Sequence, residues 1–180
     1  LMNQTAAKLG MKDSHFENST GLPAPGHVTT AHDMALLANA LIQDHPELYG
    51  LHAVREFTYN DISQPNRNQL LWRDDSVDGI KTGHTQDAGY CLVASAERDD
   101  MRLISVVMGT ASVQARTSFS QALLNYGFRF FETRQIAKGG HKLGTARVWK
   151  GESEMLTYGV DKDLYVTVTR GEGDKLNQQI

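Results

Sequence analysis

Several things are scarce or missing in this 180-residue chain, and each absence excludes something. No apolar run reaches the roughly 18 residues that a membrane-spanning helix needs, so no segment reads as a transmembrane span. A basic excess is lacking too. Lys and Arg number 18 against 21 Asp and Glu, for a net charge of −3, which argues against nucleic acid as a partner. The only cysteine is Cys91, so no internal disulfide can form. Within Tyr90-Cys91-Leu92-Val93-Ala94 it reads as a small buried hydrophobe and decides nothing about compartment. The seven histidines are scattered, with no His-x-His and no His-Glu-x-x-His, so neither a metal site nor any cofactor is expected. No signal peptide, internal repeat or low-complexity segment is visible.

What is present is a globular composition, 40% apolar and 22% charged, in a chain long enough to bury a core. Leu1 to Leu9 reads as a helix that ends at Gly10 but has no N-cap before it. Such a helix normally has more turns, so sequence upstream of Leu1 is expected. Asn18 to Gly26 is a loop by its Gly and Pro content. Thr30 with Asp33 makes an approximate capping box for a helix whose stripe is Met34, Leu37, Ala38 and Leu41. Phe57 and Tyr59 alternate with polar neighbours, as on a half-buried strand. Residues 78–108 predict three consecutive antiparallel strands, with a turn at Arg98-Asp99-Asp100. A helix from about Val113 to Phe131 follows. Ala115, Phe119, Ala122, Tyr126 and Phe130 form the face expected to pack on the sheet as core. After Gly139-Gly140 come short β-like runs at Ala146 to Trp149, Met155 to Tyr158 and Leu164 to Val168, read as a second, all-β module.

The chemistry centres on Val77-Asp78-Gly79-Ile80-Lys81-Thr82-Gly83-His84-Thr85. Lys81 brings a cation and Thr82 a hydroxyl, which together suit a carboxylate. Gly83 removes a side chain, so that an extended ligand can lie against the strand. A backbone N–H just beyond the glycine can point at a developing oxyanion.

The stretch Asp78 to Thr85 resembles the third motif of the low-molecular-mass penicillin-binding proteins, the serine D-alanyl-D-alanine carboxypeptidases. Further matches are Asn18-Ser19-Thr20-Gly21-Leu22, Ala31-His32-Asp33-Met34-Ala35, Asn66-Arg67-Asn68, Leu70-Leu71-Trp72, Ala88-Gly89-Tyr90, Met101-Arg102-Leu103-Ile104, Tyr126-Gly127-Phe128 and Gly159-Val160-Asp161-Lys162-Asp163. The resemblance implies an α+β fold. A partial penicillin-binding-protein/β-lactamase-like domain, an antiparallel sheet flanked by helices, would occupy 1–133, and an incomplete β-rich domain 134–180. It implies that a serine attacks the bond between two terminal D-alanines of a peptidoglycan stem peptide, and that β-lactam antibiotics acylate the same serine. On that pattern Lys81 is catalytic. Thr82 binds the substrate carboxylate, Gly83 leaves room for the substrate, and the His84 N–H is one oxyanion donor. Arg116 is similar to the family arginine that meets the terminal carboxylate, and Arg67 to one near the cleft. A periplasmic location on the outer face of the bacterial inner membrane is implied, through a C-terminal anchor beyond Ile180.

One departure matters. No serine here has Lys three residues on, and none begins Ser-x-Asn, so the nucleophile motif and the second motif are both absent. Both precede Lys-Thr-Gly in the family, so they are expected upstream, and this stretch alone is expected to be inactive. Two alternatives stay open. A class A β-lactamase also carries Lys-Thr-Gly, but it has no β-domain after its last helix. A non-catalytic cell-wall-binding homologue would read identically over these residues.

Overall fold

The structure, a computed structural model, describes residues 1–176. The chain divides into two compact units, Leu1–Gly127 and Phe128–Ile180.

In the first unit, α1 (Met2–Lys8) leads through a loop to α2 (Ala31–Asp44). As predicted, Thr30 caps α2, its hydroxyl accepting the Asp33 N–H at 3.1 Å. Pro46 cannot continue α2 and instead opens the short α3 (Pro46–Tyr49). A hairpin of β1 (Glu56–Tyr59) and β2 (Ile62–Pro65) and the short α4 (Leu70–Arg73) follow. The predicted meander is β3 (Val77–Thr85), β4 (Gly89–Arg98) and β5 (Met101–Thr110), a three-stranded antiparallel sheet in that order. Two residues connect β4 to β5. Asp99 and Asp100 both take positive φ, 49° and 59°, as the tight turn matched to strand twist requires. Ala38, Tyr49, Ile80 and Val93 form a buried cluster, and Met34, Leu41 and Ile42 of α2 pack on it with Ile104 and Val106 of β5. The α2 stripe therefore faces the sheet, as its spacing predicts.

The long helix α5 (Val113–Phe130) forms where expected, but with the opposite face inward. Phe119, Ala122, Tyr126 and Phe130 are exposed, whereas Arg116, Thr117, Ser120, Leu124 and Phe128 are buried. The inward face is largely polar: Arg116 and Thr117 find partners there, while the buried Ser120 hydroxyl finds none among the described residues. Thr117 donates to Val113 O at 2.7 Å, and Arg116 reaches two strand carbonyls. A side chain at Gly127 would run into the Leu103 methyl, so glycine sets how closely helix and sheet approach. A second correction concerns Phe57 and Tyr59. Their strand exists, but both rings are exposed, because β1 pairs only with β2 and no described element covers the rings.

In the second unit, Phe131 begins a strand rather than ending the helix. β6 (Phe131–Ala137) pairs antiparallel with β9 (Leu164–Thr169), and β7 (Lys142–Arg147) with β8 (Met155–Gly159). Of the run expected at Ala146 to Trp149, Val148 and Trp149 lie past the end of β7, which starts earlier, at Lys142. The unit is built of antiparallel ladders, as an all-β module should be. Residues 177–180 of the expected second domain lie outside the described residues.

Candidate functional site

The Lys-Thr-Gly stretch lies at the far end of β3, and among the described residues β3 is an edge strand, paired only with β4. Its other edge can therefore accept an extended chain by backbone hydrogen bonding. Lys81 is exposed, and its ammonium donates to Thr82 O at 2.6 Å, which holds the charge close along the strand. Thr82 is buried. At Gly83 the nearest atom to a built Cβ would be the Cys91 Cβ, 3.9 Å away, so the strand is bare on that side. The His84 ring stacks on Tyr90 of β4, with centroids 3.9 Å apart, which makes it part of the wall of the site.

Arg116 enters from the first turn of α5. Only 5% exposed, it donates through Nη1 to Gly83 O at 3.0 Å and to Cys91 O at 3.3 Å, and it lies over the Tyr90 ring. Those hydrogen bonds go to carbonyls, which leave its charge uncompensated. Burial lowers its pKa. Cys91 and Tyr90 oppose that, and Arg67 adds to it. Arg67 itself is exposed on the loop before α4, close enough for its charge to be felt at Arg116. The structure thus gathers Lys81, Thr82, Gly83 and His84 on one strand end, with Arg116 bonded to that strand's backbone and Arg67 within its field. A buried guanidinium without a carboxylate partner favours an incoming anion.

Sequence reasoning missed the residues that hold β3 in place. Asn68 is buried and donates from Nδ2 to Gly79 O at 2.9 Å, while its Oδ1 accepts the Leu70 N–H at 3.2 Å. One residue along, the His52 ring donates from Nδ1 to Ile80 O at 2.9 Å. Tyr49 donates to Asp78 Oδ1 at 2.5 Å, and its hydroxyl lies 2.8 Å from where a Gly79 Cβ would stand, so no larger residue fits there. Arg102 completes the brace. It bonds Asp78 at 2.7 Å, Ser95 Oγ at 2.7 Å and Glu97. Burial and the Asp78 carboxylate push the Tyr49 phenol pKa up, so it stays a donor at any ordinary pH. The run Asn66-Arg67-Asn68 before an apolar segment carried a local signal for Asn68. Tyr49 and His52 carried none.

An unpaired strand edge bearing an ammonium, a hydroxyl and a bare glycine, backed by a guanidinium with no carboxylate partner among the described residues, has the chemistry that an extended chain ending in a carboxylate calls for. No group of His, Cys, Asp and Glu able to hold a metal ion gathers among the described residues, and no described helix is long and apolar enough to cross a membrane.

A family model described as D-alanyl-D-alanine carboxypeptidase matches residues 1–112, and one described as the C-terminal domain of penicillin-binding protein 5 matches residues 131–180. The D-alanyl-D-alanine carboxypeptidase DacA of Escherichia coli (strain K12) is 50% identical over 172 residues, 95% of this chain and 43% of that protein. The fold matches penicillin binding protein 5 from Haemophilus influenzae with a TM-score of 0.90 at 40% identity, covering 96% of this chain and 51% of that chain. It matches penicillin-binding protein D2 from Listeria monocytogenes, solved in a cefotaxime-bound form, with a TM-score of 0.66 at 35% identity over 71% of this chain and 53% of that one. The chain therefore spans about half the length of these relatives. It belongs to the D-alanyl-D-alanine carboxypeptidase family.

Proposed function

We propose that the protein containing this chain is a serine-type D-Ala-D-Ala carboxypeptidase that trims peptidoglycan stem pentapeptides and is acylated by β-lactams. The observation that carries this reading is the free edge of β3 presenting Lys81, Thr82, Gly83 and the His84 N–H beside the buried, uncompensated Arg116. The substrate pairs with β3, its terminal carboxylate between the Thr82 hydroxyl and the cations Lys81 and Arg116. A serine supplied by residues outside this sequence attacks the carbonyl of the penultimate D-alanine. The oxyanion that forms is held by the His84 N–H, and the leaving amine of the last D-alanine takes a proton as the C–N bond breaks. Water then cleaves the ester, returning the serine and releasing the shortened peptide. Lys81 contributes positive charge to this proton traffic, and Arg67 adds to the attractive field at the entrance.

We further propose that the enzyme works in the periplasm, peripheral on the outer face of the inner membrane through a C-terminal anchor. Cell fractionation of the full-length protein tests the location, and recovery in the cytosol would remove it.

The activity is tested by incubating the full-length protein with penicillin and with a D-Ala-D-Ala pentapeptide. A covalent adduct on a serine outside these 180 residues and release of free D-alanine are expected, with no adduct on the 180-residue chain alone. An adduct on this chain itself would overturn the assignment, and so would inert full-length protein. The bound β-lactam of the Listeria relative favours the same outcome.

A further inference from the structure

The first half of β3 is already engaged by side chains. Gly79 O accepts from Asn68 Nδ2 and Ile80 O from His52 Nδ1, each at 2.9 Å. A carbonyl oxygen can only accept, so Nδ1 carries a hydrogen whatever the charge of the ring. Alternate residues of a paired strand turn their backbone groups to the same edge. Ile80, Thr82 and His84, which stand opposite Ala94, Leu92 and Tyr90 of β4, therefore share one edge. Ile80 O is met by a side chain from outside the sheet, so that edge is the one β4 leaves free. His52 is held tightly in this place. It is half-buried in the 3₁₀ turn Gly50–Ala53, and its ring leans on that of Tyr49, with centroids 5.8 Å apart. Asn66 fixes the turn from behind, donating from Nδ2 to His52 O at 3.4 Å and to Val54 O at 3.0 Å. Its Oδ1 accepts the Asn68 N–H at 2.9 Å, so the turn and the loop before α4 grip the strand together.

The direction of the substrate follows from the proposed function, on which this inference rests. With the reacting carbonyl at the His84 N–H and the terminal carboxylate at Thr82, the peptide runs along the free edge toward the start of β3. A residue added after the second D-alanine continues about 3.3 Å further along that edge, toward the carbonyl that His52 holds. We infer that His52 is a specificity-determining residue. By occupying Ile80 O it closes the free edge of β3 and confines the site to peptides that end at the second D-alanine. Thr82, Lys81 and Arg116 favour a terminal carboxylate, while His52 excludes a longer chain. Selection for the chain end thus has an attractive part and an exclusive part.

The test gives the full-length protein two peptides, one ending in D-Ala-D-Ala and one in D-Ala-D-Ala-Gly. The same amide, between the two D-alanines, is cut in both, so D-alanine leaves from the first and D-alanylglycine from the second. The wild type should favour the first peptide. His52→Ala should shrink that preference by about tenfold in kcat/KM, the low end of what pocket shape supplies, and carboxylate recognition keeps the remainder. His52→Asn, whose amide can place a donor where Nδ1 stands, should keep the wild-type preference. Penicillin adduct formation confirms that each variant is folded, and if His52→Ala forms none, His52→Ser is read in its place. A brace that only steadies β3 would slow both peptides alike, so an unchanged ratio in the small variant overturns the assignment. Equal turnover of the two peptides by wild type overturns it too, as does a preference in His52→Asn as relaxed as in His52→Ala. Each of these results leaves the carboxypeptidase reading standing. A wild type that cuts neither peptide and takes no penicillin overturns that reading and this inference with it.

Discussion

Two antiparallel systems of this chain treat their side chains in opposite ways. The β3–β5 sheet of the first unit stands among fully buried Leu70, Leu71, Leu92 and Leu124, and it takes polar groups inside as well: Asn68, Ser95, Thr82 and Arg116. The second unit leaves Trp149, Met155, Leu156 and Tyr165 exposed, and several of its contacts lie at the surface. Examples are the Thr133–Thr167 hydroxyl pair at 2.9 Å and the Arg147 guanidinium 4.3 Å over the Trp149 ring. The comparison teaches where precision is needed. Polar groups buried with partners fix a geometry, because losing one partner leaves the other costly to bury, whereas exposed pairs can be exchanged for water.

The comparison can be broken or sharpened by substitution. The largest effect belongs to Lys81→Ala in the full-length protein. Loss of a positioned charge at an oxyanion-type site should slow penicillin acylation by about 10²- to 10³-fold, and a loss below tenfold would show that the ammonium does not act there. Next comes Asn68→Leu, which orphans Gly79 O and the Leu70 N–H. It should cost about 1–3 kcal/mol by urea unfolding and slow acylation as well, since β3 loses a brace. Unchanged stability would mean that water replaces the amide.

A smaller effect is confined to acid. Burial alone would raise the Asp74 pKa, but the Ser76 hydroxyl and N–H and the Arg98 guanidinium, 2.5 Å away, hold it below its ordinary 3.8. A carboxyl with a depressed folded pKa contributes stability that is complete above its unfolded pKa. That contribution disappears as pH falls through the folded value. Asp74→Asn should therefore lower stability at neutral pH and flatten its decline below about pH 4, seen in urea midpoints taken from neutral to acid; parallel pH curves would refute it. The smallest effect is in the second unit. Trp149→Ala removes an exposed cation–π contact and should change stability by less than about 1 kcal/mol, and a larger loss would show that the ring is buried by something else.

Much of the first unit was legible because its pattern is local. The meander shows in alternation and in the Asp99-Asp100 turn, and the strand end shows in Lys81-Thr82-Gly83-His84. The inward face of α5 was not legible, because Arg116, Thr117 and Ser120 look like a solvent face until the carbonyls of Gly83 and Cys91 are placed beside them. β6 was hidden for a related reason. Phe131 directly follows the last aromatic of the helix with no Gly or Pro between, and only pairing with β9 shows that the chain has become a strand. Tyr49 and His52 act on β3 from 28 or 29 residues away, a separation at which a single sequence carries no signal.

The grip on β3 is made through main-chain oxygens, with Asn68 on Gly79 and His52 on Ile80. At Ile80 the side chain is interchangeable in principle, while the bare Gly79 and the residue count are not. Ile80→Val should leave the ammonium one position later undisturbed. A single extra residue between Ile80 and Lys81 would turn Lys81 to the opposite side of the sheet with every contact behind it intact. The chain thus tolerates drift in composition at this point and forbids drift in length.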